Sequence, residues 1–416
     1  MRRLECLDGL RGGLAAYVMI SHLAPFAVLP AWAERFFAHG GAAVDVFFVL
    51  SGMVIFRSWE GFAGRAGPFL LARAARTLPI FFVTFALAVA VQPLPSGFPL
   101  MPWIGPDSPA RSIWSSGWPE EWVVELLAHL TMTHGLFPSG VLPGVWVSFL
   151  GAAWSLSTEW QFYALVACIA PRLGRGKSGP ATLAALFLVL SAAAILWDLT
   201  APPGWRFSRA FLPNKAQYFA LGIASARLAS EPVSLGLRAF APVLAVSLAL
   251  TAAQGGFDKL AAPLVWTVCL AAEVSTRGSA LGAMRAALRA APLQWLGGLS
   301  YCIYLVNEPV QKLVGLALAM GVGPHGALFT VLWLPAAAVL PLALARWLHV
   351  QVEMPALRWG RDLARRLDCA ASGFAANAFS DGRSASRAGF APRAAPWLRS
   401  ASRASPAGAR ASGRMP

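Results

Sequence analysis

Two residues that can do chemistry stand near the N-terminus in the stretch LDGLRGGLAAYVMISH, residues 7–22. Arg11 and His22 are separated by Gly12–Ser21, a run without any charged residue. On a helix, which rises 1.5 Å per residue, they are about 16 Å apart along the axis. A guanidinium binds phosphate oxygens well, and an imidazole is the side chain that most often moves a proton in catalysis. The spacing predicts a polar path with an anion-binding end and a proton-transfer end.

Two carboxylates in later apolar runs are expected at a depth in the membrane similar to that of His22. Asp45 and Glu159 lie twelve and thirteen residues from the arginine that ends their runs, or about 18 and 20 Å along a helix. A late apolar run also holds Asn307 beside Glu308. Because ionisable groups in a membrane are costly, they usually face the protein interior or a wet cavity. We expect Asp45 or Glu159 to orient His22 and stabilise its protonated form; the alternative is that His22 only packs.

A second cationic cluster lies in FLLARAARTLPIFF, residues 69–82. Arg73 and Arg76 are three residues apart and therefore share one face of a helix. With Arg11 they are expected to form a cationic patch at the cytoplasmic mouth of the bundle. Two interpretations stay open: the arginines anchor the helix ends by reaching toward water, or they bind phosphate groups.

The composition indicates a membrane protein. Of 416 residues, 57% are hydrophobic and 13% are charged, whereas a soluble domain has about 25% charged residues. A membrane crossing needs roughly 20 mostly apolar residues, and it must be helical to satisfy its own backbone. We therefore predict an all-α, polytopic transmembrane bundle. Its ten spans are expected at about 12–30, 40–57, 69–92, 146–170, 182–198, 211–227, 237–255, 261–274, 297–320 and 327–348.

The distribution of basic residues predicts the orientation. The formal net charge is +15, and cytoplasmic loops are enriched in Lys and Arg. In the ten-span arrangement most basic residues fall on one side, which predicts an inner-membrane protein with both termini in the cytoplasm. The basic residues are scattered among the spans without an aromatic-basic module, so nucleic-acid binding is not favoured. Seven of the 34 basic residues fall on the other side: Arg35, Arg111, Arg206, Arg209, Lys215, Lys259 and Lys312.

Two further segments complete the organisation. We predict a membrane domain over residues 1–360 and a disordered cytoplasmic tail over residues 361–416, since the tail has few large apolar residues. The tail is either inert or contacts anionic lipid headgroups through its arginines. EEWVVELLAHL, residues 120–130, has the spacing of an amphipathic helix that either packs or contacts substrate.

Several of these stretches resemble signatures of the acyltransferase 3 family of integral membrane O-acyltransferases. The similar motifs follow one another over about residues 1–360, and the family often has His where this chain has Asn307. The motifs are the Arg-x10-His stretch at 7–22, GGAAVDVFFVLSG at 40–52, the Arg-x-x-Arg stretch at 69–82, AAWSLSTEWQFY at 152–163 with its Trp-Ser-Leu-Ser-x-Glu, FLPNKAQYFALGIASA at 211–226, LGGLSYCIYLVNEPV at 296–310 and VEMPALRW at 352–359.

The resemblance implies an enzyme that moves an acyl group, often acetyl, from cytoplasmic acyl-CoA to a hydroxyl group. The acceptor would be an extracytoplasmic glycan, a lipid-linked sugar or another hydroxylated molecule. Acyl-CoA would be a co-substrate, and we expect neither a metal nor a permanently bound cofactor; membrane lipids would surround the bundle. The implied site residues are His22 as catalytic base, Glu159 and Asp45 beside it, and Arg11, Arg73, Arg76, Trp154, Ser157 and Asn307 at the substrates.

A non-enzymatic function stays open from the residues alone. A transporter or channel would also carry ionisable groups along a polar path through its bundle. Hydrolysis or transfer of acyl-CoA by purified protein separates the two functions, because a transporter should lack that activity.

Overall fold

The fold consists of helices joined by short turns and by one long segment. The computed structural model describes residues 4–114, 116–173, 179–228, 233–274 and 280–380. It is 80% helix, with no strand in these ranges, which confirms the all-α prediction. The helices are α1 (Glu5–Leu23), α2 (Ala31–Phe37), α3 (Gly40–Gly61), α4 (Ala66–Val91), α5 (Ala110–Ile113), α6 (Trp122–Leu130), α7 (Ala153–Ile169), α8 (Gly179–Thr200), α9 (Ala216–Leu228), α10 (Val233–Gly255), α11 (Ala261–Val274), α12 (Ala280–Leu288), α13 (Ala291–Val322), α14 (Gly326–Leu348) and α15 (Met354–Ser380).

Each of the ten predicted apolar runs overlaps one α-helix, but only some of these helices have the length and hydropathy of a membrane span. Five segments do: Ala31–Gly61, Ala66–Val91, Gly179–Thr200, Ser234–Gly255 and Gly326–Leu367. The chain is therefore a membrane protein, and the predicted count of ten spans is not confirmed. Helices α7, α9 and α11 are short, and α1 and α13 carry polar and charged side chains that lower their hydropathy.

The first helix ends earlier than its apolar run. α1 ends at Leu23 and is followed by a 3-10 turn, Ala24–Phe26. Pro25 has no backbone N–H and cannot continue the helical hydrogen bonding. As a result His22 lies in the last turn of α1, and Arg11 lies in its first half.

α1 packs along α13, and the two helices run in the same direction. Near the start of the pair, the Arg11 guanidinium donates to Ser300 Oγ at 3.1 Å. Near its end, Gln311 Nε2 donates to the Met19 carbonyl at 3.2 Å. A Cβ built on Gly297 would collide with the backbone of α1, so the absence of a side chain there sets the close approach. Small residues are how membrane helices commonly come into contact.

α9 is enclosed by its neighbours, which explains how a helix of 13 residues serves a membrane bundle. It packs against α3 on one side and against α8 and α10 on the other. Gly52 and Gly222 face each other in the α3–α9 contact, where a Cβ on Gly222 would meet the Val49 carbonyl. Nearly every side chain of α9 is buried, so this helix does not have to span the lipid itself.

α15 extends through Ser380 and thus includes residues 361–380, for which the composition predicts disorder. The helix docks on α4 through small residues: Gly360 contacts the Ala75 side chain, and Ala364 is buried. A scarcity of large apolar residues does not prevent such docking, because close packing of small residues replaces their bulk. The rest of the predicted tail, residues 381–416, lies outside the described residues.

Candidate active site

His22 is held by an amide. Its Nδ1 lies 2.7 Å from Asn307 Oδ1. Asn307 Nδ2 donates to the carbonyls of Ile303 at 3.0 Å and Tyr304 at 2.7 Å, which assigns the orientation of the amide. Since Oδ1 can only accept, Nδ1 of His22 carries the hydrogen and donates it. Nε2 is then the unprotonated nitrogen, and an imidazole in this tautomer accepts a proton there.

The residue after Asn307 positions the start of α7. Glu308 Oε1 accepts from the Gly151 N–H at 3.2 Å, and Oε2 accepts from the Ala152 N–H at 3.1 Å. A carboxylate at this place satisfies backbone N–H groups that a helix start leaves free and complements the positive end of its dipole. α13 therefore supports both the imidazole of His22 and the first turn of α7, which carries Trp154.

The two carboxylates predicted beside His22 have other partners. Asp45 Oδ1 lies 2.7 Å from Lys215 Nζ in a buried ion pair. Glu159 Oε1 accepts from Ser51 Oγ at 2.8 Å. Counting residues along a helix estimates depth, but it says nothing of the direction in which a side chain points. The structure does not bring either carboxylate into a hydrogen bond with His22; that place belongs to Asn307.

Two further predicted site residues of the Trp-Ser-Leu-Ser-x-Glu motif, Trp154 and Ser157, differ in their surroundings. Trp154 lines the same cavity as His22 and packs edge-on against Phe48 at 5.6 Å. Ser157 is fully buried: its Oγ donates to the Met132 carbonyl at 2.7 Å and accepts from the Gly135 N–H at 3.1 Å. The hydroxyl of Ser157 thus ties the segment before α7 to the helix, away from both cavities described below.

His22 lines the larger of two cavities, which we name the histidine cavity. Its volume is about 1400 Å³. The end of α1, the start of α3, the first turn of α7 and the long segment between α4 and α7 contribute to its walls. Its lining includes His22, Glu125, Trp154, Arg209, Tyr304 and Glu308.

The second cavity, which we name the arginine cavity, has a volume of about 680 Å³. It is lined by Arg11, Arg73 and Arg76 together with Glu159 and Tyr163. The structure therefore brings together the three arginines that the spacing singled out, and it places Glu159 with them rather than with His22. Val44 and Tyr304 line both cavities, so the two spaces meet at these side chains.

The three arginines are not equivalent. Arg76 forms an ion pair with Glu353, in which Nη1 and Oε1 are 2.6 Å apart and the carboxylate is fully buried. Arg11 donates to Ser300. Nε of Arg73 is buried without a hydrogen-bond partner among the described residues. Because an unsatisfied buried donor is costly, Arg73 is the arginine whose partner should come from a ligand.

Glu353 sits at the end of a π-helical turn, His349–Glu353, between α14 and α15. Its Oε2 accepts from His349 Nδ1 at 2.7 Å and from Cys302 Sγ at 3.2 Å. These three residues bring potential metal-ligand atoms within 4.8 Å of one another. The Arg76 guanidinium already supplies the positive charge next to this carboxylate, so the arrangement fits an ion-pair network better than a metal site.

Sequence reasoning did not assign a role to Tyr304, Glu353, Arg209 or Glu125. Tyr304 shares a hydrogen bond with Ser155 at 2.8 Å between the two cavities. Glu353 lies in the motif VEMPALRW at 352–359. An acidic residue within this mostly apolar stretch was the signal that could have identified it. Arg209 stood in a connecting segment, where periodicity does not predict burial or partners. Glu125 lies in the predicted amphipathic helix at 120–130, whose spacing does not tell which partner a side chain meets.

Comparison with known proteins adds one match. A model of the acyltransferase 3 family, described as an acyltransferase domain, matches residues 4–350. Searches of curated proteins and of solved structures found no match. The matched region includes α1, α13 and every other helix up to the end of α14, and it covers more than half of the 416 residues. The chain therefore belongs to the acyltransferase 3 family.

Proposed function

We propose that this membrane acyltransferase transfers an acyl group, acetyl in the simplest case, from acyl-CoA to a hydroxyl group of an acceptor. One observation carries the proposal: the arginine cavity and the histidine cavity meet at Val44 and Tyr304. A molecule with an anionic end and a reactive end can occupy both spaces at once. Acyl-CoA has phosphates at one end and a thioester at the other, and it acts as a co-substrate.

The phosphates of the donor belong in the arginine cavity. Arg73 offers a buried donor without a partner in the described chain, and Arg11 and Arg76 line the same space. Guanidinium groups bind phosphate oxygens through paired, charge-assisted hydrogen bonds. The pantetheine arm then passes Tyr304 toward His22.

The reaction needs one proton to move twice. His22 Nε2 accepts the proton of the acceptor hydroxyl while the hydroxyl oxygen attacks the thioester carbonyl carbon. The bond between that carbon and sulfur breaks, the sulfur leaves with the electron pair, and the imidazolium returns the proton to it. The products are an ester and CoA thiol. Asn307 keeps Nδ1 protonated throughout, which is the orienting function that a carboxylate has in a Ser-His-Asp triad.

The acceptor enters the histidine cavity, and we propose a glycan, a lipid-linked sugar or another hydroxylated molecule. The chemistry requires only a hydroxyl within hydrogen-bond reach of Nε2. With the basic residues in the cytoplasm, the enzyme resides in the inner membrane, the arginine cavity faces cytoplasmic acyl-CoA, and the histidine cavity faces the opposite side.

The test is release of CoA thiol from acetyl-CoA by the purified protein, with and without a mixture of glycans. We expect thioester cleavage by the wild type, and a loss of about 10²–10⁴-fold in kcat for His22→Ala and His22→Gln at unchanged folded yield. Gln keeps a hydrogen bond but cannot take the proton. His325→Ala is the control, since His325 is exposed in the turn before α14. A fully active His22→Gln enzyme contradicts the base assignment, and a wild type without thioester cleavage favours a transporter or channel.

A further inference from the structure

The histidine cavity is larger than the reaction requires. Small-molecule sites usually measure about 300–1000 Å³, and this one measures about 1400 Å³. Beyond His22 it is lined by two cations, Arg35 and Arg209, by a buried carboxylate, Glu125, and by several tryptophans. The acyl transfer proposed above uses none of these groups, so they are available to recognise the acceptor.

Arg209 lies over the rings of two tryptophans. Its Cζ lies 5.1 Å from the centre of the Trp146 ring and 5.8 Å from that of Trp154. Among the described residues it makes neither an ion pair nor a hydrogen bond. A guanidinium held over aromatic rings keeps N–H groups that can bind a further partner. Those groups fit an oxyanion, carboxylate or phosphate, in a charge-assisted pair.

Arg209 and His22 line the same cavity together with Gly40 and Gly41 at the start of α3. Gly40 packs against the Ser21 side chain, next to His22 in the chain. A Cβ built on Gly41 would lie 3.8 Å from Nη1 of Arg209. One molecule bound in this cavity therefore has both the imidazole and the guanidinium in its walls.

Glu125 is the second recognition group. It is 5% exposed, lines the cavity, and its Oε2 has no hydrogen-bond partner in the described part of the chain. A buried carboxylate oxygen without a donor is costly, and hydroxyl groups of a bound acceptor supply such donors.

The other acidic residues of the cavity do not neutralise Arg209. Both carboxylate oxygens of Glu308 accept from the backbone at the start of α7. Glu34 and Asp107 are exposed to solvent at the cavity wall. Arg35, the other cation of the lining, already donates from Nε to the Ala31 carbonyl on α2, so Arg209 is the cation of this cavity that we assign to an anionic group.

We propose that the acceptor is an anionic carbohydrate whose carboxylate or phosphate oxygens bind Arg209 while a hydroxyl donates to Glu125. This inference rests on the acyl transfer proposed above, because it concerns the acceptor of that reaction. The volume favours an oligosaccharide over a single sugar, and indoles such as Trp103 and Trp118 line the cavity where sugar rings pack well against flat apolar faces.

The test compares matched probes that differ in charge, in the absence of acyl-CoA. Trigalacturonate is paired with its methyl ester, and glucose 6-phosphate with glucose; binding to the purified full-length protein is measured by ligand-observed NMR titration. We expect the charged member of at least one pair to bind about ten- to hundredfold more tightly. The carboxylate pair and the phosphate pair report which oxyanion is preferred.

Two variants test whether Arg209 causes the preference for the charged probe. Arg209→Gln should abolish it, whereas Arg206→Gln, three residues away and outside the lining of the cavity, should retain it. Equal binding of charged and neutral probes by the wild type, absence of binding by all four, or an unchanged preference in Arg209→Gln overturns the proposal. Cleavage of acetyl-CoA is measured separately, so a failure of the acyl transfer itself is distinguished from a failure of this acceptor assignment.

Discussion

Asn307 decides which nitrogen of His22 is available, because its amide is oriented by two backbone carbonyls and presents only an oxygen to the ring. A neutral amide in this place differs from the carboxylate that the sequence suggested. It orients the imidazole without pairing its positive charge.

Replacing Asn307 tests this orienting function. Asn307→Ala should lower kcat by about 10²-fold with little change in KM for acyl-CoA, since the ring loses its hydrogen-bond acceptor. Asn307→Asp should retain more activity, because it keeps an oxygen opposite Nδ1. Gln311→Ala is the matched control: Gln311 also ties α13 to α1, but through the Met19 carbonyl. Equal losses of kcat in Asn307→Ala and Gln311→Ala would show that only helix packing matters.

The arginine pair should separate into two phenotypes. Arg73→Ala should raise KM for acyl-CoA in a folded protein, and Arg73→Lys should restore it only in part because the fork is lost. Arg76→Ala should lower the yield of folded protein, since leaving a buried carboxylate such as Glu353 without its cation costs about 3–5 kcal/mol. Folded yield and donor kinetics are measured together. If Arg76→Ala is as stable as Arg73→Ala, the Arg76–Glu353 ion pair does not contribute to the stability of the fold.

At the scale of the helices, the α1–α13 contact controls whether His22 meets Asn307. Gly297→Ala should lower the stability by about 1–3 kcal/mol, the usual cost of overpacking, and should also reduce activity, because the added Cβ collides with the backbone of α1. Gly298→Ala is the matched control, as a Cβ there meets nothing within 4 Å. Thermal unfolding and thioester cleavage report both effects. Similar behaviour of the two variants would contradict a close contact at Gly297.

The packing of α6 makes the stability depend on pH. His129 and His134 stack with their ring centres 4.1 Å apart, and both are fully buried. Burial lowers the pKa of His134 from 6.5 to about 4. Burial, and then the nearby His134, lower the pKa of His129 as well. The folded state therefore binds fewer protons than the unfolded state between pH 6.5 and pH 4, and the stability falls as the pH falls through this range.

The expected size of this effect is about 2 kcal/mol for His134 between pH 7.5 and pH 5. His134→Gln can still donate to the Ala153 carbonyl, which lies 3.1 Å from Nε2 of the wild type, but it does not titrate. Thermal unfolding in detergent at the two pH values should show a smaller loss for His134→Gln than for the wild type. Equal losses would place the acid sensitivity elsewhere.

At the scale of the whole molecule, the proposed reaction needs the two cavities to open on opposite sides of the membrane. The excess of basic residues on one side predicts that both termini are cytoplasmic. Reporter fusions after Asp368 and after Gly105 should indicate inside and outside, respectively. If both fusions report the same side, the arginine and histidine cavities do not face different compartments, and the proposed entry of donor and acceptor fails.

The sequence by itself determined the class of the protein, the helices and the spacing of groups along them. An apolar segment in lipid must form a helix, because its backbone N–H and C=O groups find hydrogen-bond partners only within the segment. A helix has a constant rise, so the distance between Arg11 and His22 could be estimated without a fold. The clustering of Arg11, Arg73 and Arg76 was also expected from the sequence, and the structure places these three side chains around one cavity.

The tertiary structure alone decided which partner each of these groups has. His22 meets Asn307, Asp45 meets Lys215, and Arg76 meets Glu353. Each pair joins residues that are far apart in the chain. Its formation depends on how two helices are rotated and how closely they approach, which the glycines of the α1–α13 contact help to set. Residue spacing along one helix predicts the position of a side chain along the helix axis. It does not predict which residue of another helix the side chain contacts, because the packing of all the helices together sets that contact.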